Sequence, residues 1–508
     1  MSENWTIYPI IIQLLTAVVL LFFWMYPKLQ RYLSILGSAL SLVTSSILFY
    51  IVWNNGIQTI QLGDWAAPFG ITLVADTLAV TLVLITSFVS FAVAIYSTAN
   101  VVASRVKFGY YPIYHFLILG LTGAFLTGDI FNLYVWFEVI IISSFVLLTI
   151  GGRKIQIEGA VKYFTLNMLS SIIFLTGIAM LYGVTGSLNM ADLSRIIPTI
   201  ENEGLVQTIS VVFMIAFGVK AGVFPLYFWL PASYHTPPAS VSAIFAGLLT
   251  KVGVYAMIRV FTLIFPMSEI NQIILMVVAA FTLVFGGIGA YVQKDILRVF
   301  SYLIICHIGF MIGGLALFTE VSLAGAVLYM FHDIIIKVTL FLMGGILFRI
   351  FGNTKLENMG GLMNNYPRLS FLFAIPLFAL VGIPPLSGFW PKIHLFIASY
   401  TSNNIFMLIC FIFASLITLI IIARVWNATF AKDARIITRL KELKYYDQFT
   451  TREKSAFVIP ILILVGGTLY FSFFTEHFQL IAERISHELS HPKEYYDAVF
   501  KVTEASKL

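Results

Sequence analysis

Charge is what this sequence has least of. Asp, Glu, Lys and Arg make up 11% of its 508 residues against 59% hydrophobic, and no soluble core can hide that much apolar surface. The composition excludes a soluble globule and points to an all-α polytopic membrane protein. Cysteine is nearly missing too. Cys306 and Cys410 both lie inside apolar runs, which excludes a disulfide framework and a thiolate metal site, and with them redox chemistry by this chain alone. There is no P-loop, no GxGxxG after a strand, no CxxC and no serine-triad spacing, so neither cofactor nor metal is expected. Basic residues exceed acidic ones, 30 to 24, but they fall in short connections between apolar runs, where the positive-inside rule accounts for them. No nucleic-acid partner is read from them.

What is present is a series of about fourteen apolar runs, each long enough to cross about 30 Å of hydrocarbon. They include 5–26, 111–128, 130–150, 207–230, 238–262, 321–349 and 369–398. The first has neither a basic leader nor a small-residue cleavage site and reads as a retained helix. Lys28 with Arg31, Arg105 with Lys107, Arg153 with Lys154, Lys294 with Arg298, Arg349 with Lys355 and Arg368, and the stretch Lys432 to Lys454 all fall at alternate connections. The intervening connections are poor in Lys and Arg. This alternation places both termini outside.

The chain divides into four parts. Residues 1–110 hold three spans with almost no ionisable residue and read as scaffold, with a short hairpin in the alternating stretch Gly56 to Asp76. Residues 111–262 and 263–428 read as two five-helix blocks, each with its fourth helix broken, at GVKAGVFPLYFWLP and at VGIPPLSGFWPKIH. Counted along the chain these are helices 7 and 12. Paired discontinuities at corresponding places are the mark of inverted-repeat transporters. Residues 429–508 read as a charged interfacial helix over 429–455, a last span and an amphipathic tail helix after Glu476.

Ionisable residues at bilayer depth are costly and functional as a rule. Glu138 lies mid-span, as a proton site or its modulator; the alternative is a structural hydrogen-bonded carboxylate. Lys220 is bracketed by Gly218, Gly222 and Pro225, which free carbonyls beside the ammonium. A Glu138 to Lys220 pair that changes its spacing would load or release a proton; the alternative is a static tie between helices. Lys251 has no sequence-local acid and suits a relay. Asp333 and Lys337, four apart, form either a same-helix pair or, with His332, part of a proton path. Lys392 follows the second break and is placed as a terminal exit, with His394 as an accessory. Asp129 reads equally as a cap or a functional acid, His235 as a gate or a loop residue, and His307 as a satisfied core histidine.

The stretch KAGVFPLYFWLPASYHTPPASVSAIFAGLLTKVGVY resembles the antiporter-like superfamily: the L, M and N membrane subunits of respiratory complex I, related hydrogenase subunits, and the large subunits of Mrp sodium/proton antiporters. The length and FNLYVWFEVIIISSFVLLTIGG are most similar to the D-type Mrp subunits. The resemblance implies two inverted five-helix repeats, no cofactor, and protons passing along a midplane row, here Glu138, Lys220, Lys251, His332, Lys337 and Lys392. M-type subunits usually carry glutamate at the last position, so Lys392 argues against that type but does not by itself separate this chain from the L and N types. The resemblance implies a proton-translocating subunit of a multisubunit Na⁺/H⁺ antiporter in a bacterial plasma membrane, a secondary transporter rather than an enzyme. Its partners would be other subunits, lipid, protons and Na⁺. The alternatives are a proton-pumping subunit of an NADH:quinone oxidoreductase or hydrogenase complex, and a structural subunit that moves nothing.

Overall fold

A computed structural model describes residues 3–432 and 449–505. Most of the expected interfacial helix over 429–455 lies outside the described residues. The protein is helical almost throughout. Helices α1 (Tyr8–Phe22), α2 (Pro27–Asn55) and α3 (Thr77–Asn100) come first, with the hairpin β1 (Gln58–Gln61) and β2 (Thr72–Ala75) between α2 and α3. Then follow α4 (Tyr110–Leu126), α5 (Ile130–Thr149), α6 (Lys154–Thr185), α7 (Glu203–Ala221) and α8 (Ala239–Leu263). After these come α9 (Glu269–Val292), α10 (Ile296–Leu317), α11 (Glu320–Phe351), α12 (Pro367–Val381), α13 (Ile405–Trp426) and α14 (Thr451–Phe473). Two helices, α15 (Thr475–Ser490) and α16 (Pro492–Ala505), close the chain. Among the described residues, 12 helices are long and apolar enough to span a bilayer, and α4 and α12 are shorter apolar helices at two further expected spans.

Burial sorts these helices. α8 is buried along its whole apolar length and α10 and α11 along most of theirs, whereas α1 and α2 expose most of their surface. The first group forms the core of the bundle; the second faces lipid or neighbours. α2 meets α3 through small polar residues, with Ser41 and Ser45 hydroxyls 3.1 and 2.8 Å from that of Ser87, the kind of seam that holds helices together where apolar contact alone gives no preference. His115 in α4 is buried and satisfied, between Gln13 and Ser34.

Both breaks have the same cause. α7 ends at Gly222 (φ +77°) and α12 at Gly382 (φ +86°), left-handed conformations that a side chain disfavours. The prolines that follow prevent resumption, until short helix Trp229–Ser233 in one case and helix Phe389–Thr401 in the other. One carbonyl at each break accepts from a side chain: the Trp229 indole donates to Val219 O (3.0 Å) and the Lys392 ammonium to Val381 O (2.6 Å).

A second feature recurs. The start of α5 is tied to the segment after α6 by Ile130 N to Leu188 O and Met190 N to Gly128 O, each 2.9 Å. The start of α10 is tied to the segment after α11 by Ile296 N to Thr354 O and Leu356 N to Lys294 O, again 2.9 Å. Asp129 and Asp295 cap the two helices, accepting from Asn132 N and Leu297 N. Asp129 therefore has a capping role.

The C-terminal helices pack back onto the bundle beside a buried ion pair. Asp76 caps α3 through Oδ1 (2.8 Å to Ala79 N) and holds Arg259 of α8 through Oδ2 (2.5 Å). Tyr255 and Tyr495 lie against the guanidinium, at 5.4 and 5.3 Å, and Glu488 of α15 accepts from the Thr77 backbone N–H.

Candidate functional site

Lys220 occupies the last turn of α7. Its ammonium donates to Ser171 Oγ of α6 (3.2 Å) and lies 4.8 Å from the Phe137 ring centre. Glu138 follows Phe137 on α5 but is half-buried, with Oε1 unpartnered. No ion pair joins Glu138 to Lys220. Adjacent residues on a helix point in directions about 100° apart, so with Phe137 facing Lys220 the carboxylate makes no direct contact, although its charge still acts on the ammonium. A cavity of about 20 Å³ lies between Lys220, Asn167, Tyr163 and Trp229, room for about one water.

α8 approaches this point closely because residue 253 is glycine. A Cβ there would lie 2.6 Å from Ala221 N and 2.9 Å from Lys220 C. Gly253→Val is expected to cost about 1–3 kcal/mol by forcing α8 off α7, read as a lowered melting temperature of the purified complex. An unchanged melt would show that the close approach is not needed.

Lys251 follows a π-helical turn, Phe245–Leu249, a distortion common at functional sites. With no acid near it in sequence, Lys251 finds one on another helix: Nζ lies 2.6 Å from Asp333 Oδ2 of α11, and it also donates to Ala246 O (3.1 Å). Asp333 Oδ1 faces His307 Nδ1 of α10 at 3.0 Å and Lys337 Nζ at 3.6 Å. All four side chains are fully buried. The same-helix pair of Asp333 and Lys337 is thus one edge of a cluster built from three helices. Each charge in such a cluster sets the proton affinity of the others, so protons are held jointly.

Two residues reach the second break. His332 Nδ1 is 2.9 Å from Ser387 Oγ, and Lys392, besides its bond to Val381 O, lies 5.6 Å from the Phe310 ring centre. His394 bonds to Trp390 O in its own helix (3.0 Å). His235 accepts from Arg298 (3.3 Å) in the connection before α8.

The structure therefore brings Lys251, Asp333, Lys337 and His307 into contact, places His332 and Lys392 at the second break, and leaves Glu138 within electrostatic reach of Lys220 but out of direct contact with it. Sequence reading understated Asp333 and His307, because their partners sit on other helices. It also passed over Arg259, whose signal was an arginine inside the apolar run 238–262. Counted back from the recurring backbone crossings, Asn167 and Ser171 of α6 occupy the places of Asp333 and Lys337 in α11.

A helical bundle with two broken helices and a buried row of lysines is the architecture of an antiporter-like membrane subunit. Comparison with known proteins makes this particular. The model of the family described as NADH:quinone oxidoreductase/Mrp antiporter, transmembrane, matches residues 127–418, and the chain belongs to that family. Over 98% of its length it is 38% identical to the D-type Na⁺/H⁺ antiporter subunit of Alkalihalophilus pseudofirmus and 40% identical to that of Bacillus subtilis, covering 100% of each. It is similar to a chain in the structure of the Mrp complex from Dietzia sp., with a TM-score of 0.89 and 25% identity, covering 98% of this chain and 99% of that one.

Proposed function

We propose that this protein is a proton-translocating membrane subunit of a multisubunit Na⁺/H⁺ antiporter, working within a hetero-oligomer in a bacterial plasma membrane. Protons entering down the membrane potential and pH gradient drive sodium out, each charge crossing being worth about 2.3 kcal/mol per 100 mV. The observation that carries this reading is the buried row Lys220, Lys251, Asp333, Lys337 and Lys392, all below 6% exposed at membrane depth. A scaffold has no reason to bury such groups. Lys220 loads from the Glu138 side, the Asp333 cluster passes charge between α8 and α11, and Lys392 with His332 serves the far end. Residues 111–262 and 263–428 act as the two repeats, supported by the recurring crossings and the two breaks. The alternation of basic connections supports both termini outside.

The test uses inside-out vesicles holding the complete complex. Added Na⁺ is expected to collapse an imposed pH gradient without any reductant. Lys220→Ala, which removes one hydrogen bond and no ion pair, is expected to keep the complex assembled and abolish the collapse. Normal antiport in an assembled Lys220→Ala complex would overturn the proton path, and a gradient built on adding NADH would overturn the antiporter reading.

A further inference from the structure

A cavity of about 420 Å³ opens on the Lys/Arg-rich face, where the connections carrying Arg105 and Arg153 meet the last turn of α11 with Arg349. His235 and Thr354 also line it, and no Asp or Glu does. Among the described residues none of the three guanidiniums makes an ion pair. Arg349 lies 5.8 Å from the centre of the Phe449 ring and within electrostatic reach of Glu453. The nearby acids are engaged elsewhere: Asp295 caps α10 and accepts from the Thr354 hydroxyl, and Glu453 caps α14 through Thr450. Arg105 is half-buried and holds its proton less tightly than an ordinary arginine, through burial first and then the charges of Arg153 and Arg349. Three cations thus face one another across a cavity with no Asp or Glu in its lining, the acidic charges felt from outside it being Glu453 on Arg349 and Asp295 on His235. His235 adds a half-buried imidazole that accepts from Arg298, and the 32-residue helix α6 starts at the rim, directly after Arg153.

We propose that this cavity binds a phosphate-bearing anion, either the headgroup of an anionic phospholipid or a free phosphate. Guanidinium forks match phosphate oxygens in bidentate pairs, and the N-terminal end of α6 favours negative charge. The cavity sits at the level of the connections, where a Lys/Arg-rich face meets anionic headgroups. Unoccupied by an anion, it repels cations; occupied, it removes that barrier on the side where the chain is most basic. The inference does not rest on the transport reading, because binding is measured without a gradient.

The test is arginine modification by phenylglyoxal in the purified complex, read by peptide mass spectrometry. Three conditions are compared: phosphatidylcholine nanodiscs, the same with inorganic phosphate, and phosphatidylglycerol nanodiscs. Arg105 is expected to react about tenfold more slowly in at least one anionic condition, while Arg368, exposed on the same face outside the cavity, stays within about twofold. Slowing by phosphatidylglycerol alone assigns a lipid headgroup; slowing by phosphate assigns a soluble anion. Arg105→Gln combined with Arg349→Gln is expected to remove the protection of Arg153. No protection of wild-type Arg105, equal protection of Arg368, or Arg105 unreactive in all three conditions because a protein partner covers it, would each overturn the proposal.

Discussion

Asp333→Ala is expected to abolish sodium-dependent collapse of a pH gradient and to destabilise the chain by about 3–5 kcal/mol, the cost of removing one partner from a buried charge pair. The second effect follows from what the carboxylate faces. Lys251 and Lys337 are both fully buried and Asp333 is the only acid paired with either among the described residues, so its loss leaves two ammonium groups uncompensated. Adding Lys251→Met removes one of them and is expected to recover much of the lost stability, since deleting both partners of a buried pair is often close to neutral. Transport is not expected to return, because the link between α8 and α11 has gone. Melting temperature and vesicle antiport, measured on the single and double variants, separate the two effects. Normal antiport in Asp333→Ala would remove the cluster from the proton path.

Arg259→Met is expected to have a comparable effect on stability, about 3–5 kcal/mol, for the converse reason. It leaves the Asp76 carboxylate buried at the cap of α3 without its cation. Tyr495 also loses the group it packs on, so the damage extends to the C-terminal helices. Faster amide hydrogen exchange in α15 and α16 is the expected signature, with Arg259→Lys intermediate because a lysine supplies the charge without the fork. Unchanged exchange there would show that the tail is held by its other contacts.

The membrane class, the two breaks and the lysine row were legible in the sequence because each is local. An apolar run announces a span, a Gly followed by Pro announces a break, and a lysine inside a run announces itself. The partners were not legible. Lys251 looked solitary because its acid lies on α11, and for Glu138 and Lys220 the charges signal an electrostatic interaction but not that the Phe137 ring is what lies against the ammonium. Ion pairs within one helix can be read from spacing, as with Asp333 and Lys337; pairs between helices need the packing. Asp76 and Arg259 show the same limit, since the first ends a hairpin and the second lies deep in a later span.

The side chains that close the broken helices matter for electrical tightness. A transporter that stores work in an ion gradient is useless if its own midplane leaks. A helix interrupted inside a bilayer normally calls in water to satisfy its free carbonyls, and a file of waters conducts protons indiscriminately. Here the Trp229 indole and the Lys392 ammonium occupy Val219 O and Val381 O, so neither carbonyl depends on solvent. Each break therefore carries its own side-chain donor for a carbonyl of the turn it interrupts, which lowers what it asks of solvent at bilayer depth.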